Sequence, residues 1–348
     1  MTDALPYLDA ATLERLLPVE RAVGILEDAL RAGLDPEATP QRPVVDVPAG
    51  QLLLMPAAAG RYVGVKAVTI APGNPERGLP RIQGTYLLLD GDTLAPLAAM
   101  DGIAITSLRT PAVSALAVRH LADPQGGKLV VFGSGPQAWG HVLALREVRP
   151  VTEVTIIARD LGRAESLAAR CRTLGLPSRA LASTLEPHAA GGSAPVGRRR
   201  QQPLSSHEPA AAAHPVSGAA AVGQAVAEAD LIVCCTTARE PLFPGKLARD
   251  GVTVVAVGSH EPGARELDDD LIARATVVVE ARTAALAEAG DVIIPIHHGT
   301  ITTGHLAGNL AELIAGQVVA GPGPRVFKST GMAWEDLVIA AAAYEAWI

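Results

Sequence analysis

At 348 residues, 49% of them hydrophobic, the chain is long enough for two domains around a large buried core. Its net charge of −7, with Arg198-Arg199-Arg200 as the basic run, excludes the clustered cationic surface that a nucleic-acid partner requires. Three cysteines without CxxC spacing predict neither a disulfide framework nor a zinc site. No uncharged apolar stretch approaches the roughly 18 residues of a membrane span, so a cytoplasmic protein without a membrane partner is expected.

Residues 1–120 combine one helical pattern, Val19 to Leu30, with strand-like runs at Val44–Val47, Gln51–Met55, Tyr62–Ile70 and Gly84–Leu89. That mixture predicts an α+β domain and not a succession of βαβ units. A helical stretch follows from Thr110 to Leu121, with Arg109 just ahead of it. From about residue 121 the runs at 128–132, 153–158, 231–236, 252–257 and 276–280 alternate with alanine-rich helical segments, the pattern of a parallel, doubly wound sheet. Residues 187–218 interrupt it. Rich in Ala, Pro, Gly, Ser and Arg, they carry almost no large apolar side chains to offset the entropy of ordering, so a solvent-exposed, disordered insertion is expected there.

After about residue 315 come a Gly/Pro-rich link, Gly321–Pro324, the segment Val326–Gly331, and a last helix through Trp334, Leu337, Val338 and Tyr344. That helix is expected to return to the first domain. Residues 1–120 plus 316–348 would then form a discontinuous α+β substrate and dimerisation domain, with a dinucleotide-binding domain at 121–315 inserted in it and the active site in the cleft between them.

The most informative stretch is Lys128-Leu-Val-Val-Phe-Gly-Ser-Gly-Pro-Gln-Ala138. Its apolar run stops at Gly133-x-Gly135-x-x-Ala138, and a helical pattern through Val142, Leu145 and Val148 follows. In a Rossmann sheet a buried strand turns sharply here, and glycines let backbone N–H groups of Gly133, Ser134, Gly135, Gln137 and Ala138 approach a pyrophosphate at the helix N-terminus. Pro136 itself, lacking an N–H, contributes only its fixed backbone angle. The second strand ends Ala158-Arg159-Asp160. A carboxylate at its end would accept hydrogen bonds from a ribose diol and select NAD, whereas a small residue followed by Arg leaves room for a 2′-phosphate. Ala158 with Arg159 therefore favours NADP(H), with NAD(H) as the alternative if the strand runs on to Asp160. Thr236 and Thr237, at another strand end, are expected to line the same cleft.

Six motifs in order resemble the ornithine cyclodeaminase/mu-crystallin family: Gly64-Val-Lys66; Gly78-Leu-Pro80 with Gln83-Gly84; Leu108-Arg109-Thr110-Pro-Ala-Val-Ser-Ala115; Gly133–Ala138; Val257-Gly-Ser-His-Glu-Pro-Gly-Ala-Arg-Glu-Leu-Asp268; and Phe327-Lys-Ser-Thr-Gly331. The resemblance runs from about residue 5 to the C-terminus, the insertion excepted. It implies a homodimer built through the first domain, and hydride passed between a nicotinamide and an amino acid or its imine. It also implies that Arg42, Lys66 and Arg109 hold a substrate carboxylate. Thr110, Val257, Gly258, Ser259, Lys328 and Ser329 would contact the cofactor.

The residues themselves support part of this. Arg offers a carboxylate a planar two-point grip, and a lysine inside the apolar run Val63–Val68 is costly without an anionic partner. In the cyclodeaminases an aspartate on the loop after the fifth strand handles the substrate's amino groups; His260 stands there in this chain. Imidazole supplies no standing negative charge, so the resemblance narrows to the ketimine-reductase branch, with His260 or Lys66 as proton donor. The expected activity is reduction of small cyclic α-imino acids such as pyrroline- or piperideine-2-carboxylate. The alternatives are an ornithine cyclodeaminase or alanine dehydrogenase-like enzyme, or a non-catalytic binder of NADP(H) and small ligands. His297-His298 reads as a strand pair facing opposite ways, so no metal is expected, and Cys234-Cys235 as small residues in a strand buried on both faces.

Overall fold

The computed structural model describes residues 4–183 and 218–348; the expected insertion lies outside them except for Gly218, which opens a helix. The first sheet contains β1 (Tyr7–Leu8), β2 (Val44–Val47), β3 (Gly50–Ala59), β4 (Tyr62–Ile70), β5 (Ile82–Asp90) and β6 (Pro96–Asp101), in the order β1-β6-β5-β4-β3-β2. It is antiparallel except where β1 joins β6. Since strand side chains alternate between faces, the register sorts this sheet into two distinct surfaces. Met55, Lys66, Tyr86 and Met100 are cross-strand neighbours on the inner face and all are buried. Pro56, Val65, Leu87 and Ala99 form the matching outer row and are half-buried.

Helices α1 (Ala10–Leu16), α2 (Val19–Arg31) and α3 (Gly102–Leu121) complete this part of the chain. The helix expected from Thr110 begins eight residues earlier: the Asp101 carboxylate accepts the N–H groups of Ile103 and Ala104 and caps it. Pro111 sits inside α3 rather than at its start. Arg109 accordingly projects from mid-helix.

The second sheet is built from β7 (Gly127–Phe132), α4 (Pro136–Val148), β8 (Val151–Ala158), α5 (Leu161–Thr173), β9 (Ser178–Ala182), α6 (Gly218–Glu228), β10 (Leu231–Cys234), β11 (Thr253–Ala256), α7 (Asp269–Arg274), β12 (Thr276–Val279), α8 (Arg282–Glu288), α9 (Gly290–His297), β13 (Leu306–Asn309), α10 (Leu310–Ile314) and β14 (Arg325–Lys328). Its eight strands run parallel in the order β13-β12-β14-β11-β10-β7-β8-β9. The order reverses between β7 and β10, and ligands of such sheets bind in the crevice at that reversal.

Two expectations change here. Residues 325–328, placed by the sequence in the first domain, form β14 between β11 and β12, so only the last helix, α11 (Ala333–Trp347), packs onto the first sheet and against α2 and α3. The boundary at 316 fails because a four-residue strand reads the same whichever sheet receives it. His297-His298 closes helix α9 instead of lying on a strand, and His298 Nδ1 sits 2.8 Å from Asp269. β10 also stops at Cys234, leaving Cys235 half-buried beyond it.

Candidate active site

Lys66 and Arg109 meet where the inner face of the first sheet, α3 and α11 converge. The Lys66 ammonium, 1% exposed, donates to Asp336 at 2.7 Å and to the Thr106 hydroxyl at 3.0 Å. Arg109 donates through Nη1 to Glu335 at 2.7 Å and through Nε to Asp336 at 3.2 Å. Burial, and secondarily the guanidinium of Arg109, lower the Lys66 pKa to about 8 although Asp336 opposes the shift. Lys66 thus has the anionic partner its setting demands, but that partner is a side chain of this chain.

Glu335 continues the cluster. Burial first, then the adjacent Glu280, push its carboxyl well above the ordinary range. Glu280, at the end of β12, accepts from the Ser329 hydroxyl at 2.6 Å and from the backbone N–H groups of Thr330 and Gly331 at 2.9 and 2.8 Å. One buried polar network therefore ties the first sheet to the segment leaving β14. Gly331 is needed there: its φ is +81°, and a Cβ would lie 2.6 Å from Arg109 Nη1.

Arg42 lies across a cavity of about 250 Å³ lined also by Met55, Glu288, Gly331 and Met332. It bonds Glu288 of α8 through Nε at 3.1 Å and also through Nη2, which reaches the Thr330 carbonyl at 3.0 Å. Of the three expected carboxylate-binding cations Arg42 borders this space directly, while the Arg109 guanidinium lies buried behind Gly331. His260 is half-buried, near Arg42 and Glu288. Burial and then Arg42 lower its pKa, leaving the imidazole neutral at pH 7 and unsuited to be a standing proton donor.

The glycine turn occupies the reversal of strand order. Gly133, at φ +115°, lets the β7 end pass the Cys235 carbonyl, which a Cβ would meet at 2.6 Å. Gly135 caps α4 without a side chain, and a Cβ there would touch nothing within 4 Å. The first turn of α4, whose N–H groups include those of Gln137 and Ala138, thus has open space at its Gly135 cap, which fits an approaching pyrophosphate. Thr110 adjoins Pro111, whose ring packs where Gly140 of α4 leaves room.

The chain matches the ornithine cyclodeaminase/mu-crystallin family over residues 8–190 and 204–348. It belongs to that family. Among its relatives are a Δ1-pyrroline-2-carboxylate reductase of Bacillus cereus, 32% identical over 84% of this chain and 80% of the relative, and the ketimine reductase mu-crystallin of Rattus norvegicus, 34% identical over 88% and 85%. Its fold is shared with Thermococcus litoralis Δ1-pyrroline-2-carboxylate reductase, solved with NADH and L-proline, at TM-score 0.83 and 28% identity over 98% of this chain and 97% of that one. An archaeal alanine dehydrogenase dimer with bound NAD matches at TM-score 0.82 and 25% identity, over 98% and 95%.

In this member of the ornithine cyclodeaminase/mu-crystallin family several expected cofactor contacts are committed elsewhere. The Lys328 ammonium is fully buried, 3.0 Å from Asp291, and donates to the carbonyls of Ser259 at 2.6 Å and Ala256 at 3.3 Å. Ser329 is held by Glu280, and the Ser259 hydroxyl by the Ala264 carbonyl. Thr236 gives its hydroxyl and N–H to Glu266, which also accepts the Gly258 N–H at 2.7 Å. These groups fasten the Val257–His260 loop from beneath; Thr237 remains exposed. Arg159 is exposed at the end of β8, while the Asp160 carboxylate caps α5 by accepting the Arg163 N–H at 3.0 Å.

Sequence reasoning missed Glu280, Glu288, Glu335 and Asp336. For Glu335 and Asp336 a signal existed: two carboxylates directly precede the apolar run Leu337–Ala343, and the argument that flagged Lys66 applies to them equally. For Glu280 and Glu288 there was none.

Proposed function

We propose that this chain, a nicotinamide-dependent oxidoreductase of carbon–nitrogen bonds, reduces small cyclic α-imino acids of the pyrroline- or piperideine-2-carboxylate type, using NADPH in preference to NADH. The observation that carries the reading is the cavity itself. At about 250 Å³ it is below the roughly 300–1,000 Å³ of sites for drug-sized ligands, and it sets Arg42 beside one small space, with Arg109 behind Gly331. That is provision for one ring bearing one carboxylate. Arg42 offers the carboxylate its donors, and Arg109, held by Glu335 and Asp336, backs the wall at Gly331.

The Gly133–Ala138 turn would hold the pyrophosphate, and the fastened loop Val257–His260 would border the nicotinamide. A reduced nicotinamide bound there supplies hydride. Neutral His260 shapes the pocket, and the imine enters already protonated. The NADPH preference rests on Arg159 at the end of β8, with Asp160 occupied in capping α5, whereas the relatives solved with NADH or NAD speak for the alternative cofactor. A homodimer is supported by the apolar outer row of the first sheet, which is only half-buried, and by the exposed valines of β2. The test is NADPH consumption by the purified protein with each cyclic imino acid, repeated with NADH. Turnover faster with NADPH is expected; no turnover above background with either cofactor refutes the reading, and ammonia release from ornithine or alanine replaces it.

A further inference from the structure

A cyclic α-imino acid at neutral pH carries a second charge: the protonated ring nitrogen, bonded to the same carbon as the carboxylate. Nothing in the cation set of Arg42, Lys66 and Arg109 recognises it, and neutral His260 supplies no anion. We propose that Glu288 is the specificity-determining residue that binds the iminium N–H. The inference rests on the imino-acid reading and adds the residue that distinguishes an iminium acid from a plain carboxylic acid.

Two carboxylates, Glu37 and Glu288, reach the cavity wall. Glu37 is saturated: it accepts the N–H groups of Arg282 and Thr283, the Thr283 hydroxyl and the Asn309 amide. Glu280, Glu335 and Asp336 are buried below the cavity in their own network. Glu288 meets only Arg42 among the described residues, which leaves lone pairs free on a side chain that is 19% exposed. Arg42 in turn uses Nε and Nη2, and its Nη1 has no acceptor among the described residues. A carboxylate taken at Nη1 lies beside Glu288, and the nitrogen two bonds away falls between the two anions. Without that cation, Glu288 and the bound carboxylate would repel one another in a half-closed site.

The electron count is simple. Hydride from the reduced nicotinamide forms the new C–H bond at the imine carbon, the C=N π pair moves onto nitrogen, and nitrogen then takes one proton from water to reach the zwitterionic amino acid. Glu288 keeps the starting iminium protonated, which keeps that carbon electrophilic.

The test compares L-proline with cyclopentanecarboxylate, a ring acid of the same size without nitrogen, by calorimetric titration of the NADP⁺-loaded protein. Charge-assisted hydrogen bonds predict that the wild type prefers L-proline by about tenfold to a hundredfold, and that Glu288→Gln brings the ratio close to one. If Glu288 acted only by restraining Arg42, its loss would change both affinities together; an unchanged ratio in Glu288→Gln with NADP⁺ affinity intact overturns the proposal. Glu288→Asp is expected to keep part of the preference, which controls for the lost side-chain shape. A wild type that turns over cyclic imino acids yet shows no preference refutes this inference alone, whereas one that neither reduces imino acids nor binds either ring acid refutes the parent reading with it.

Discussion

Replacing Asp336 with asparagine would leave the buried ammonium of Lys66 with Thr106 and an uncharged amide as partners. Removing one member of a buried ion pair costs about 3–5 kcal/mol, because the other charge stays desolvated. The lowering of the Lys66 pKa from 10.5 to about 8 gives a scale for that penalty: about 3 kcal/mol of desolvation persists even with Asp336 present. Urea unfolding at pH 7.5 of wild type, Asp336→Asn, Lys66→Met and the double variant measures it. With an m-value of about 3 kcal/mol/M, the Asp336→Asn midpoint should fall by about 1–2 M. Adding Lys66→Met removes the unpaired charge, so the double variant should recover much of the loss. The sign with pH is fixed as well. Since the folded pKa lies below the ordinary value, the stability Lys66 contributes is present above pH 10.5 and lost as pH falls through 8. The difference between wild type and Lys66→Met should accordingly move in favour of wild type on going from about pH 8 to 10. An Asp336→Asn variant within about 0.5 kcal/mol of wild type, or a double variant equal to the sum of the singles, refutes the reasoning.

Gly135→Val should leave thermal stability nearly unchanged, since its Cβ meets nothing within 4 Å, while weakening NADP(H) binding by tenfold or more, about 1.4 kcal/mol; fluorescence titration checks it. Arg159→Asp should lower the NADPH-to-NADH ratio of kcat/KM by at least about tenfold, and an unchanged ratio removes Arg159 from cofactor choice. Gly331→Ala should disturb Arg109, raising KM for the imino acid more than for NADPH in steady-state assays. Burial lowers the pKa of His141 to about 4, below its ordinary 6.5, so the stability tied to its neutral form is present above pH 6.5 and lost as pH falls through 4. Wild type should lose up to about 3 kcal/mol more than His141→Gln across that interval, read by urea unfolding.

Features resting on local chemistry were legible in the sequence. Strand periodicity located β4, β5, β7 and β8, and the glycine turn was found because its backbone demands act within six residues. Lys66 was conspicuous because a charge inside an apolar strand is costly wherever its partner lies. Partners supplied by chain return were not legible: Asp336 stands 270 residues from Lys66, and Glu288 lies 246 from Arg42. The start of α3 was misplaced for a different reason. Pro111 imitates a first-turn proline, while the cap that begins the helix, Asp101, belongs to the end of a strand. Lys328 and Ser329 match the family's motif, yet which way a side chain leaves a buried strand depends on neighbouring strands, and those neighbours, β11 and β12, are settled only by topology.

The placement of β14 also bears on how the protein can be made. Until residues 325–328 have been synthesised, β11 and β12 lack the strand that joins their hydrogen-bond ladders, and until α11 follows, the inner face of the first sheet lacks the helix that packs along β3 and much of β4. Domains commonly fold in turn as they emerge from the ribosome, but here the stretch from β14 to α11 is shared by both sheets. Assembly should therefore wait until α11 has been translated, and a premature stop near residue 320 should yield two incomplete halves instead of one sound domain and one missing helix.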